Sequence, residues 1–138
     1  TANSIVNVSN NMFSLITRST TDSFLQTVKM DHIVWKLDVY QAMLAMSNKS
    51  VEDFANHKDC RLGQWYFQGE GAELYSHHSA FKQLEEPHKQ VHDHGLLALK
   101  SMKEGNTTQA VKSLASMEGA SVEVINLLTT LSQQIKQN

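Results

Sequence analysis

Three histidines and one cysteine are spaced as a metal site would need them. His88 and His92 stand four positions apart, which puts both imidazoles on one helix face a single turn from each other. His32 falls on the apolar stripe of a different segment, with Trp35 one turn further along the same face. Imidazole costs free energy to bury unless its nitrogens are occupied. Three of them on converging apolar seams therefore call for something that satisfies them together. Cys60, the only cysteine, lies 28 residues after His32 and 28 before His88. Thiolate with imidazole suits zinc, a borderline-soft ion usually held by four tetrahedral ligands in closed sites. His32 and Cys60 would complete a set with His88 and His92. Paired histidines at the same interval also arise on solvated helix faces, so spacing alone leaves both readings open.

The elements that would carry these residues are helical almost throughout. Ile5, Val8, Met12 and Leu15 step by three and four, as an amphipathic helix does. Ser19, Thr20 and Thr21 then interrupt the stripe with residues suited to capping a new helix. Leu25, Val28, His32, Trp35, Val39, Ala42 and Met46 form a second, stronger stripe that fades at Ser47–Ser50. One bent helix or two would fit. Ser50 with Asp53 opens a short helix through Phe54 and Ala55, and Asp59 would cap another that contains Cys60, Leu62, Trp65 and Tyr66. Gly69 and Gly71 end it. The next stripe runs Leu74, Phe81, Leu84, His88, Val91, Gly95, Leu99 and Met102, with a break before His88 expected at Pro87. Gly105–Asn106 stops that helix, and a last one from about Thr107 carries Val111, Leu114, Met117, Val124, Leu128, Leu131 and Ile135. The expected fold is all-α: an antiparallel four-helix-type bundle with an additional short helix carrying the cysteine. Residues 1–20 would be a helical connection or first bundle helix, and residues 21–138 the zinc-binding bundle.

Composition narrows the function classes. The 138 residues suit one domain, and a net charge of −2 from 12 basic and 14 acidic residues argues against a nucleic-acid partner. No apolar run reaches the roughly 18 residues of a membrane span, and no signal peptide opens the chain, so no membrane insertion is expected. A lone cysteine excludes an internal disulfide and fits a reducing, cytoplasmic compartment. The chain opens at Thr1 without methionine and is expected to be a piece of a longer protein.

Three strings sharpen the reading: His32–Ile33–Val34–Trp35–Lys36, Cys60–Arg61–Leu62–Gly63–Gln64–Trp65–Tyr66, and Pro87–His88–Lys89–Gln90–Val91–His92. In order and spacing, over roughly residues 21 to 105, they resemble the signature motifs of the CZB family, the chemoreceptor zinc-binding domains of bacteria. The resemblance implies a cytoplasmic helical bundle that holds Zn2+ through His32, Cys60, His88 and His92. It further implies a sensory rather than catalytic role, responding to zinc or to oxidants such as hypochlorous acid. The implied setting is a homodimer fused to an upstream signalling module, a chemoreceptor or diguanylate cyclase.

The other histidines lie off the motif positions. His77 and His78 are adjacent and point about 100 degrees apart on a helix, so both cannot face one site. They are expected at the surface, with His57 outside the ligand set and His94 directed away from it. Asp59 and Asp93 are expected as cap or surface carboxylates rather than partners of an imidazole. Trp65 and Tyr66 should pack the short helix, and Gly63 should permit a close backbone approach. Met30, Met43, Met46, Met102 and Met117 are expected as core fillers.

Three alternatives compete with the sensor. A DinB-like metal-dependent hydrolase would use the three histidines and keep the fourth position for water, but no general base is evident. A histidine phosphotransfer bundle needs a solvent-facing histidine, whereas His32 and His88 lie on apolar seams. A purely structural zinc dimerisation domain shares every ligand with the sensor.

Overall fold

The computed structural model describes residues 1–137, and the described residues are all helical or connecting, without strands. Three long helices make the bundle: α1 (Ala2–Met43), α3 (Ser79–Lys103) and α4 (Thr107–Lys136). Between α1 and α3 come a 3-10 turn (Val51–Asp53), the short α2 (Arg61–Gln68) and a π-helical turn (Gly71–Tyr75). These short pieces fill the bundle's remaining side.

The register of the long helices follows from their polar pairs. Near the N-terminal end of α3, Gln134 of α4 accepts from Ala80 N–H and donates to Ser79 Oγ, so α3 and α4 are antiparallel. Lys29 donates to Thr129, and Lys36 and Tyr40 both meet Glu118, which makes α1 antiparallel to α4 as well. The turn from α3 to α4 is set by Gly105, whose φ of +80° needs glycine. Asn106 then caps α4 by accepting from Gln109 N–H.

The open question of one helix or two resolves as one. The hydroxyls at residues 17, 20 and 21 do not cap a new helix. Thr17, Thr20 and Thr21 instead donate back to the carbonyls of Phe13, Ile16 and Thr17, and the ladder runs through them. At the far end α1 stops at Met43, so Met46 lies outside it and is exposed.

Pro87 does not break α3. The helix runs through it, although proline has no N–H to offer the Gln83 carbonyl. The proline ring is buried with Leu84, His88 and Val91 in the packed face. Packing along α4 therefore outweighs the local loss of about 3 kcal/mol. In α4 the buried seam is Ala110, Ser113, Met117, Ser121, Val124, Leu128, Leu131, Ser132 and Ile135. Val111 lies off it and is exposed, because small alanine and serine side chains occupy the tight interface instead. Leu74 is likewise exposed, and Met30 points outward.

One face of α1 is apolar and uncovered. Ile5, Val8, Met12, Leu15, Met30, Ile33 and Leu37 are all at least half exposed. Met12 and Met30 are about five turns apart at 3.6 residues per turn, so the two groups share one side of the rod. That side lies opposite the Leu25, Val28, His32 and Val39 face buried in the bundle.

Candidate metal centre

Each donor comes from a separate structural decision. His32 sits on the buried face of α1, between Val28 and Val39. His88 and His92 sit one turn apart on α3, where the face toward the bundle interior is also buried. Cys60 is the N-cap of α2 rather than a residue within it, and the helix begins one residue later, at Arg61. The expected Asp59 cap is thus displaced by one position: the Cys60 sulfur accepts from Gly63 N–H at 3.4 Å. The loop ahead of it is a compact turn in which Asn56 Oδ1 accepts from Lys58 and Asp59 N–H.

These segments bring one ligand-type atom from each of His32, Cys60, His88 and His92 within 4.8 Å of one another. The sulfur is 3.2 Å from His88 Nε2. The three imidazole rings are edge-to-face, with centroids 4.8 Å (His32–His88), 5.0 Å (His88–His92) and 5.5 Å (His32–His92) apart.

The outer nitrogens fix the tautomers. His32 Nδ1 lies 2.8 Å from the Val28 carbonyl, and His92 Nδ1 lies 2.8 Å from the Ala55 carbonyl. A carbonyl only accepts, so each Nδ1 carries the proton and each Nε2 presents a lone pair. Both Nε2 atoms are shielded from water and have no hydrogen-bond partner. Unsatisfied buried nitrogens of this kind cost about 1–3 kcal/mol each. Free lone pairs gathered in one cluster, with Nδ1 anchored behind them, are what a cation such as zinc requires of imidazole. The donor set therefore fits the ion chemically.

The anchors are backbone carbonyls, and Asp59 and Asp93 take no part. Asp93 pairs with Lys89 at the surface, and Asp59 is exposed. Trp35 walls the group, its ring 4.4 Å from that of His92 and edge-on to Phe54. Trp65 and Tyr66 do pack α2: Tyr66 stacks on Phe81 at 4.1 Å and donates to its carbonyl. Gly63 is pressed against the 57–58 backbone, where an added Cβ would stand 2.0 Å from the His57 oxygen. A cleft of about 270 Å3 lined by His32, Trp35, Cys60, Arg61 and His92 opens onto the group.

Two histidines off the motif positions are buried, one of them, His78, expected at the surface. His57 is buried, with its ring 5.8 Å from that of His88. Its only signal in the sequence is that it precedes Cys60 by three residues, within the same turn. His78 is buried too, stacked on Tyr75 away from the centre, while His77 is exposed. That split is the one their adjacency demands.

Burial sets the electrostatics. It pushes His88 down to about 2, helped by the neighbouring imidazoles of His32, His92 and His57. It pushes His92 down to about 4 against the opposing pull of the Ala55 carbonyl, and lowers His32 as well. Burial raises the Cys60 thiol, with the Gly63 and Leu62 N–H groups working the other way. Unfolded histidines near 6.5 bind protons that the folded ones refuse, so the metal-free chain should lose stability as pH falls below about 6.5. The expected slope is about 1.4 kcal/mol per pH unit for each of these histidines. His92 should stop contributing near pH 4, while His88 continues toward 2. Urea midpoints of the metal-free chain between pH 7.5 and 4.5 measure it, and a flat profile would contradict the burial.

Residues 32–99 match the family model described as the chemoreceptor zinc-binding domain. Neither the curated proteins nor the solved structures give a significant match. No helix among the described residues is long and apolar enough to cross a membrane.

Proposed function

We propose that the chain, whose residues 32–99 match the chemoreceptor zinc-binding (CZB) family model, is a cytoplasmic sensory domain of a bacterial signalling protein, holding one zinc ion through His32, Cys60, His88 and His92. The observation that carries this reading is the pair of unpartnered, water-shielded Nε2 atoms of His32 and His92, in a group whose four ligand-type atoms lie within 4.8 Å of one another. With zinc bound, the sulfur would fill the position a catalytic zinc keeps open for water, which favours a regulatory site over a DinB-like hydrolase. When bound, zinc supplies the positive charge that keeps a buried thiol deprotonated. His32 and His92 hold their nitrogens in line through Val28 and Ala55, and the bundle excludes water from three of the four donors.

Cys60 is the residue through which the domain changes state. It is half-buried at the start of a short helix, and the cleft lined by His32 and Arg61 gives a small oxidant access to it. Thiolate and hypochlorous acid give sulfenic acid and chloride: sulfur loses two electrons, chlorine gains them, and the hydroxyl is transferred to sulfur. A sulfenic acid is a poor zinc ligand. The site weakens, and α2, which carries Trp65, is free to shift against Phe24 and Phe81. Loss of zinc to a chelator opens the same site without oxidation, so zinc supply and oxidant act on one centre.

The test begins with metal analysis of the purified chain, expected to give one zinc per chain, falling when any of the four residues is replaced. Hypochlorous acid is then added with a zinc indicator dye present, following tryptophan fluorescence and the mass of the Cys60 peptide. Zinc transfer with oxidised Cys60 is expected. Zinc leaving while Cys60 stays a free thiol would make the cysteine a ligand only.

A homodimer formed across α1 is part of the same reading, with residues 1–20 leading toward an upstream chemoreceptor or cyclase module. The uncovered apolar face from Ile5 to Leu37 supports it, since such a stripe on a lone bundle helix is costly to leave in water. Sedimentation should show dimer at micromolar concentration. Monomer throughout a dilution series would remove the dimer from the model of signalling.

A further inference from the structure

A fourth imidazole stands beside the four donors, three imidazoles and one thiol, with no assigned task. His57 is only 6% exposed, and its Nε2 is shielded from water and has no hydrogen-bond partner. Its ring lies 5.8 Å from that of His88, against 4.8–5.5 Å among the three imidazoles of the centre. It is therefore almost as close to His88 as the proposed ligands are to one another. His57 also shares its turn with Cys60, whose sulfur lies 3.6 Å from the His57 carbonyl. Gly63 lies so close to that carbonyl that an added Cβ would stand 2.0 Å from its oxygen.

A buried imidazole with an unused nitrogen costs stability in the state described here. We propose that His57 is a reserve nitrogen ligand: when the Cys60 sulfur leaves the metal, the His57 imidazole takes its coordination position. The inference rests on the four-donor zinc reading above. One metal–sulfur bond is exchanged for one metal–nitrogen bond. Neutral imidazole supplies its electron pair without losing a proton, and the oxidised sulfur leaves as the sulfenic acid already formed by the hypochlorous acid. The site then passes from one sulfur and three nitrogens to four nitrogens. Oxidation thus lowers the hold on zinc without emptying the site at once, and reduction of Cys60 can restore the first state.

The test uses the full chain as wild type, Cys60→Ala, and Cys60→Ala with His57→Ala or His57→Gln. Each is titrated with Co2+ and Zn2+ against a chromophoric chelator. Wild type should show a sulfur-to-cobalt charge-transfer band. Cys60→Ala should lose that band yet keep a tetrahedral cobalt spectrum. Either double variant should bind at least about 10-fold more weakly than Cys60→Ala, the lower end of the loss expected when a supporting group at a metal site is removed. Equal affinities would mean that water fills the fourth position, and would overturn the proposal. His57→Gln keeps side-chain bulk in case His57→Ala disturbs the turn. Cadmium-113 to nitrogen-15 coupling at His57 in Cys60→Ala decides the matter without a second substitution: coupling supports the reserve ligand, and its absence overturns it. Failure of the underlying reading looks different, because wild type would then take up no zinc or show no charge-transfer band.

Discussion

Stripping zinc from the chain with a chelator is expected to lower its Tm by on the order of 10–15 °C. At a thousandfold excess of free zinc over Kd, binding to the folded state alone contributes about 4 kcal/mol. For a chain of this length, 1 kcal/mol corresponds to roughly 3–4 °C. The metal-free state carries a matching burden, since the Nε2 atoms of His32 and His92 remain buried without partners. Replacing His92 with alanine should reproduce most of the fall and make the chain insensitive to chelator. The loss should be greatest around residues 54–68, because Ala55, Cys60 and α2 reach the bundle partly through the centre. Scanning calorimetry with and without chelator gives the total, and hydrogen exchange gives its location. A Tm unmoved by chelator in a chain shown to contain zinc would mean that the ion is peripheral to the fold.

Gly63→Ala should be the most damaging single methyl group in the molecule. The added carbon would stand 2.0 Å from the His57 oxygen and 2.7 Å from that of Lys58, both backbone atoms. Neither can rotate away as a side-chain end could, so the 56–60 turn and α2 must separate. The expected cost is about 3 kcal/mol or more, at the top of the range for overpacking. The turn that moves is the one presenting Cys60, so zinc affinity should drop with stability, by about 10- to 100-fold. Competition titration and thermal melts measure the two effects. By contrast, Gly119→Ala meets nothing within 4 Å and should raise stability slightly through helix propensity. If Gly63→Ala kept wild-type affinity, the close approach would have no bearing on the centre.

Much of this was legible in the sequence, for identifiable reasons. His32, His88 and His92 stand at positions where the 3.6-residue period demands apolar side chains, so their types conflict with their places. Cys60 entered by its chemistry and by the string around it, and Gly63 by standing inside that string. What stayed hidden depended on contacts distant in sequence. The break expected at Pro87 is absent because α4 packs along that stretch of α3, which no local rule registers. Hydroxyl residues near Thr20 look like a cap until their donation to preceding carbonyls is seen. Val111 fits the helical stripe as well as Ala110 does, and only the closeness of α3 selects the smaller residue. His57 lies in a polar stretch, Asn56–Lys58, and its burial arises from the fold of the turn against Phe67 and His88.

The unbroken path of α1 has the geometry of a lever. His32 bears on the centre, and Ile5 lies 27 residues earlier on the same rod, about 40 Å away at 1.5 Å per residue. With no proline or glycine between them, bending is resisted along the whole arm. A tilt of only about 5 degrees at the His32 fulcrum would swing the far end by roughly 3–4 Å over that length. A change at the centre that tilted α1 by that amount would displace its far end by about a side chain's width. The hydroxyl run at residues 17–21, by staying helical, is what keeps the arm stiff.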